Sequence, residues 1–258
     1  MQHVVVINDF KNDSLYKTLI EGMLLNLNPS FNITYIDTVN LHRIYEAALI
    51  LRFAVFQFPK NSIFLFGVSS VCPEDEGYLY VSLFDKHIFL PNNGILGLFS
   101  DIIDEQHVYR LPYLKTTFPE IEIFIPAIAV LLEQASLNEY VLKDKPAIKK
   151  LTNILPHIQK NQIIGTIIYI DVYGNAITNI TQQEFENHTK NKSFIIYPGT
   201  RFIKIYRISE SYDEVDNQEV FALFNLFGFL ELGIKNSSLS SSYNLTYLSN
   251  ITIELYDT

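Results

Sequence analysis

Two hydrophobic patterns divide the chain: long apolar runs alternate with amphipathic stretches in the first half, and short alternating runs separated by turn residues fill the second. Residues 3–7 carry Val and Ile around no polar break beyond His3, the pattern of a strand covered on both faces in a parallel sheet. Over residues 14–27, Leu15, Leu19, Met23 and Leu27 recur at helical spacing behind Asp13, which suits an N-cap. Residues 31–37 read as a second strand. Residues 43–57 read as a helix with Ala47, Ala48, Leu51 and Val55 on one face, and residues 62–68 as a strongly apolar third strand. This alternation predicts an α/β layer with a largely parallel sheet. Further strands are expected at 78–83 and 87–90, around Phe84-Asp85-Lys86, and a helix is expected to open at Pro126 and continue through Val130, Leu131 and Gln134.

The period changes after a more polar interval containing Pro146 and Pro156. Short strands are expected at 194–196, 202–208, 220–225, 229–234 and 251–256, with turn signals at Pro198-Gly199, Asp216-Asn217 and Asn236-Ser237 between them. The organisation read from these patterns is an α/β domain over 1–145, a linker over 146–162, and a smaller all-β barrel or sandwich over 163–258.

The stretch 165–180, GTIIYIDVYGNAITNI, predicts a β-hairpin with chemistry at its bend. Alternation puts Ile167, Tyr169 and Asp171 on one face and Ile168, Ile170 and Val172 on the other. The bend gathers a carboxylate at Asp171, a ring at Tyr173 and amides at Asn175 and Asn179, beside Gly174, which lets a backbone or ligand approach closely. Read alone, Tyr173-Gly174-Asn175 is equally a hairpin turn. Asp9, at the carboxyl end of the first strand, is placed to accept hydrogen bonds from a ribose diol, or simply to cap its turn.

Composition narrows the classes of function. The 258 residues, 48% hydrophobic, can bury a sizeable core, and the formal net charge of −9 argues against a nucleic-acid or anionic-membrane footprint. The single Cys72 excludes an intrachain disulfide, and three following carboxylates, Glu74, Asp75 and Glu76, favour its inert thiol form. His42, His87 and His107 fall on separate elements, so no metal site is expected. With no signal segment or membrane span readable, a cytoplasmic location is expected.

IDVYGNAITNI resembles the (Y/V)-I-D-x-F-G-N-x-x-T-N-I signature of the S-adenosylmethionine (SAM) hydroxide adenosyltransferases, the family that also contains the SAM-dependent fluorinase and chlorinase. Further motifs follow in the same order. NDFKNDSLYKTLIEG resembles T-D-F-G-x-x-D-x-Y-V-G-x-M-K-G, Pro91-Asn92-Asn93-Gly94 resembles P-D-N-G, and TFPEIEIFIPAIA resembles T-F-H-G-R-D-x-F-A-P-A-A-A. SESYDEVDNQEVFALFNLFGFLELGIKNSS resembles T-Y-x-D-V-x-x-G-E-x-V-A-L-x-N-S-x-G-x-L-E-I-A-x-x-x-G-S-A.

The resemblance implies that Asp9 grips the ribose hydroxyls, Asp171 meets the methionine ammonium, Tyr173 and Asn175 belong to the ligand pocket, Asn175 reads the adenine edge, and Tyr212 stacks on the base. It implies a homotrimer with the nucleoside ligand between the amino domain of one subunit and the carboxyl domain of the next. It also implies hydrolysis of SAM to adenosine and methionine by attack at the ribose C5′, with SAM as substrate or ligand and no separate cofactor. The residues that activate water in the family are replaced: Ser69 stands at the Asp position, Glu76 and Gly77 at the Arg pair, Pro119 at the His, and Leu226 at the Ser that holds the methionine carboxylate. Ser69 and Ser70 are left as candidates to hold water or a halide. The alternative is a catalytically inactive adenosine- or SAM-binding homologue with a sensing or structural role.

Overall fold

The computed structural model describes residues 2–10, 15–37, 43–99, 102–134, 136–149 and 155–257. Lys11, Asp13, Ser14 and His42, used in the sequence reading, lie outside them. Two compact units divide the chain, Met1–Leu151 and Thr152–Thr258.

The first unit is a six-stranded sheet in the order β2-β1-β3-β5-β4-β6, built from β1 (His3–Asn8), β2 (Asn32–Asp37), β3 (Ile63–Gly67), β4 (Tyr78–Leu83), β5 (Lys86–Pro91) and β6 (Val108–Arg110). Pairings of β1 with β2, β1 with β3, and β3 with β5 are parallel, whereas β4 runs antiparallel to both its neighbours. Helices α1 (Leu15–Leu27), α2 (Ile44–Gln57) and α3 (Ile125–Gln134) complete the α/β layer. The central strands are covered on both faces, so Val4, Val5, Val6 and Ile7 are all buried, as the unbroken apolar run requires. On one side Val4, Val6, Ile63, Leu65 and Phe89 pack with Ile20, Leu24, Phe124 and Ile128 from the helices.

The helix expected to open at Pro126 opens earlier. A π-helical turn, Glu120–Phe124, leads directly into α3, with the Ile125 N–H donating to the Glu120 carbonyl. Pro126 therefore sits one residue inside α3, where the widened turn accommodates a residue without an N–H.

The second unit is all antiparallel, in the order β10-β13-β8-β9-β12-β11, with β7 pairing the remaining side of β8. Its strands are β7 (His157–Gln159), β8 (Gln162–Ile170), β9 (Ala176–Thr181), β10 (Lys192–Pro198), β11 (Val220–Phe224), β12 (Phe229–Ile234) and β13 (Asn250–Asp257). The stretch read as a linker thus contains β7 and the first residue of β8, while Ala147 and Lys149 are tied to the first unit through hydrogen bonds with the Asn92 amide.

Three local expectations change here. Residues 202–208 form no strand and pair with the sheet backbone through the bridge of Ile205 with Ile196, while Phe202 and Tyr206 are exposed. Helix α4 (Gln182–Thr189) was not expected, although its capping box was legible: the Thr181 hydroxyl accepts from Glu184 N–H, and the Glu184 carboxylate accepts from Thr181 N–H. A register shift between Ile167 and Tyr169 breaks the two-residue alternation of β8, so Ile167 and Ile168 are both buried.

Candidate functional site

Each unit carries a cavity: one holds Asp9, Ser69 and Ser70, and the other holds Asp171, Tyr173, Asn175 and Tyr212. The cavity of the first unit, about 380 Å³, lies at the carboxyl ends of β1 and β3 and is lined by Asp9, Phe10, Ser69, Ser70, Val71, Thr117, Phe118 and Glu120. This is where a parallel sheet leaves room for a ligand. The turn after β1 is held by the Asn8 side chain, whose Oδ1 accepts from Phe10 N–H at 3.0 Å. Ser69 adopts a left-handed conformation (φ 46°) and donates its N–H to Asp9 Oδ2 at 3.2 Å. Asn93 fixes that loop by donating from Nδ2 to the carbonyls of Val68 (3.1 Å) and Ser69 (3.2 Å). The Asn-Gly of the Pro91–Gly94 stretch therefore shapes the cavity from beside it rather than lining it.

Glu120 was not among the residues chosen from sequence. It is fully buried, at 0% exposure, and neither carboxylate oxygen has a hydrogen-bond partner among the described residues. Burial pushes its pKa up to about 7; the Asp9 charge adds to the shift, and the nearby Ser70 hydroxyl opposes it. Gly67, the last residue of β3, makes room for it: a Cβ there would lie 2.4 Å from Glu120 Oε1. In the sequence Glu120 is one of two acids, with Glu122, inside Phe-Pro-Glu-Ile-Glu-Ile-Phe, and it follows Pro119, the position that the resemblance aligns with a His. The fold separates them, because Glu122 is exposed and engages Thr116.

The cavity of the second unit, about 600 Å³, is lined by Asp171, Tyr173, Asn175, Tyr212, Asp213, Phe221 and the segment 234–237. Asp171 organises its rim. Its Oδ1 accepts from the backbone N–H groups of Tyr173 (2.9 Å) and Asn175 (2.8 Å), and its Oδ2 accepts from Asn175 Nδ2 (3.1 Å). A carboxylate offers about four acceptor positions, so these three bonds leave capacity for a ligand donor. Asn179, grouped with this bend from the sequence, is instead buried in β9 and accepts from Thr166 N–H at 2.7 Å.

Tyr212 lies on a short 3-10 turn, Tyr212–Glu214, rather than on a strand. Its ring meets Phe221 edge-on at 5.4 Å, and its hydroxyl donates to Glu231 Oε1 at 2.6 Å. Asn225 Nδ2 donates to the other Glu231 oxygen at 3.3 Å. Burial holds the Glu231 pKa above the ordinary carboxylate range, with the Asp171 charge adding to it, and burial beside Glu231 likewise raises the Tyr212 phenol. Lys235 also lines the cavity, but its ammonium donates to the Val215 carbonyl at 2.6 Å. Asp171 and Asp213, which line the cavity with the rings of Tyr173, Tyr212 and Phe221, suit a planar ligand carrying positive charge. Leu226, which the resemblance aligns with a carboxylate-holding Ser, is 87% exposed and does not line this cavity.

Gly174 closes the turn at φ 84°, and a Cβ there would fall 2.0 Å from Ser238 Oγ. Gly174→Ala is expected to cost about 2–4 kcal/mol, combining left-handed strain with overpacking. Urea unfolding of the variant checks this.

Other reactive groups are quiet. Burial foremost, then Glu76, pushes the Cys72 thiol up to about 11, so desolvation outweighs the neighbouring acids that the sequence had suggested as its cause. His87 shares a 2.9 Å hydrogen bond with the Tyr80 hydroxyl, and its burial lowers its pKa. Among the described residues, no group of three or more His, Cys, Asp or Glu could hold a metal ion, and no helix is long and apolar enough to cross a membrane.

The fold and cavities define a two-domain protein: an α/β unit with a cavity at its strand ends, and an antiparallel β unit with an acidic, aromatic one. Residues 4–141 match the family model of the SAM hydroxide adenosyltransferase N-terminal domain, and residues 165–252 match that of the C-terminal domain. The chain belongs to the SAM hydroxide adenosyltransferase family. Its fold is similar to that of an uncharacterized conserved protein from Thermotoga maritima (20% identity, TM-score 0.77, covering 97% of this chain and 99% of that one). It is also similar to a conserved hypothetical protein from Thermus thermophilus (17% identity, TM-score 0.72, covering 99% and 100%).

Proposed function

We propose that this protein binds SAM and hydrolyses it to adenosine and methionine by displacement at the ribose C5′. The observation that carries this reading is the acidic, aromatic cavity around Asp171, Asn175 and Tyr212, which offers a ring to the adenine and negative charge to a sulfonium or ammonium. Asp9 supplies the complementary interaction with the ribose diol. The reading includes the homotrimer that the family resemblance implies, with the amino unit of one subunit and the carboxyl unit of the next sharing one ligand. SAM is the substrate, and no further cofactor is required.

Displacement at C5′ needs an in-line nucleophile and a desolvated, fixed sulfonium, and positioning supplies a large part of the rate. A second reading, a non-catalytic SAM or adenosine sensor, is favoured by one observation: Ser69, Gly77 and Pro119 stand where the family's water-activating residues stand. Incubating micromolar protein with SAM, with and without chloride, and following adenosine, chloroadenosine and methionine by chromatography separates the two. Adenosine and methionine formed by the wild type and not by an Asp9→Ala, Asn175→Ala variant are the expected result. Calorimetric SAM binding without product would support the sensor, and a monomer by light scattering would overturn the shared-site trimer.

A further inference from the structure

We infer that Glu120 is the general base that takes the proton from the attacking water, standing in for the missing catalytic groups; this rests on the SAM-hydrolysing reading above. Of the residues lining the first cavity, only Asp9 and Glu120 are ionisable. Asp9 already accepts the Ser69 N–H and is assigned to the ribose. Glu120 is fully buried, with the Ser70 hydroxyl beside its carboxylate but no hydrogen bond of full geometry to either oxygen among the described residues. Burying a carboxylate with no cation beside it is unfavourable where a Leu is not, so its presence in a cavity argues for a task rather than for packing. The fold provides for it, with Gly67 cleared of a side chain where the carboxylate lies.

The groups around it are few. Asp9 follows β1, Ser70 lies in the loop after β3, and the Tyr78 phenol on β4 senses its charge. The residues of β3 are apolar or glycine. Helix α1 directs its charged groups elsewhere, Lys17 to Asp37 and Glu21 towards Tyr35. Among the described residues no Lys, Arg or His pins Glu120 in the ionised form, and its proton affinity lies near neutrality, where a base is most effective.

In the step, the water oxygen forms a bond to C5′ while the C5′–S bond breaks and its electron pair returns to sulfur. The sulfonium becomes the neutral thioether of methionine. The water proton passes to the Glu120 carboxylate, leaving adenosine and a neutral carboxylic acid that later releases its proton to solvent. Ser69 and Ser70 then help position the water rather than activate it.

The test uses the full-length protein and SAM itself. Glu120→Gln is isosteric and is expected to bind SAM within about threefold of wild type by calorimetry while kcat falls at least about 100-fold. In wild type, kcat/KM should rise with pH through a limb near 7, the value of the free carboxyl. The kcat limb should lie lower, because a bound cation favours the ionised form. Glu120→Ala should regain activity with added formate, a response that a merely structural role would not give. An E120Q variant with undiminished turnover and the same limb overturns the proposal, whereas a wild type that binds SAM without hydrolysing it overturns the hydrolytic reading on which it rests. A wild type that does not bind SAM overturns that reading as well.

Discussion

Replacing Asp171 by alanine is expected to destabilise the carboxyl-terminal unit by about 3 kcal/mol, and replacing it by asparagine by about 1 kcal/mol or less. The difference follows from which bonds each side chain keeps. Two of the three bonds that Asp171 accepts come from the backbone of its own turn, at Tyr173 and Asn175, and both go to one oxygen. An asparagine carbonyl can take that place, since Asx turns form with either residue. Alanine leaves both N–H groups without that partner and releases Asn175 Nδ2 as well. The ligand should respond in the opposite proportion: asparagine keeps the shape but removes the charge, so affinity for cationic SAM should fall about tenfold or more while affinity for neutral adenosine changes little. Urea unfolding and calorimetry with both ligands check the pair of effects. Equal losses for SAM and adenosine would show that Asp171 acts on the ligand only through the turn.

Asp171 illustrates why the fold was more legible in the sequence than the site. The hairpin could be read because alternation and a Tyr-Gly-Asn turn are local signals, and local signals also located β1, β3, α2 and β12 closely. What escaped depends on nonlocal accounting. The bulge at Ile167–Tyr169 arises from β8 meeting β9, and residues 202–208 alternate plausibly but share a single backbone bridge with the sheet. The site residues named from motifs sort into two cavities, yet the bonds that hold them, Asn93 to Val68, Asn225 to Glu231 and Tyr212 to Glu231, join residues distant in sequence or on different elements. Glu120 could not be distinguished from Glu122 before the π-helical turn buried one and exposed the other. A motif comparison that asks only whether the expected His is present also passes over the neighbour that could replace it.

Glu120 should make the amino-terminal unit less stable as pH rises, the reverse of what a salt-bridged carboxylate does. Its pKa is 4.5 when freely solvated, as in the unfolded chain, and about 7 in the fold, so between these values the native protein holds a proton that the unfolded chain has already lost. Stability from this group is therefore fully present below pH 4.5, declines as pH climbs through 7, and is gone above it. Converted at about 1.4 kcal/mol per pH unit, the window corresponds to roughly 3 kcal/mol. Glu120→Gln cannot ionise and should abolish the decline, so the variant should match wild type near pH 4.5 and exceed it by about 3 kcal/mol at pH 8. Urea unfolding of both proteins at the two pH values isolates the effect, because every other titrating group is shared. A variant that is more stable and less active at pH 8 would locate the destabilising charge at the proposed base, where the ionised form is needed for chemistry and opposed by its burial. A flat difference between the two proteins across pH would mean that water reaches the carboxylate freely, and a carboxylate so solvated would titrate near its ordinary value and act as a far weaker base.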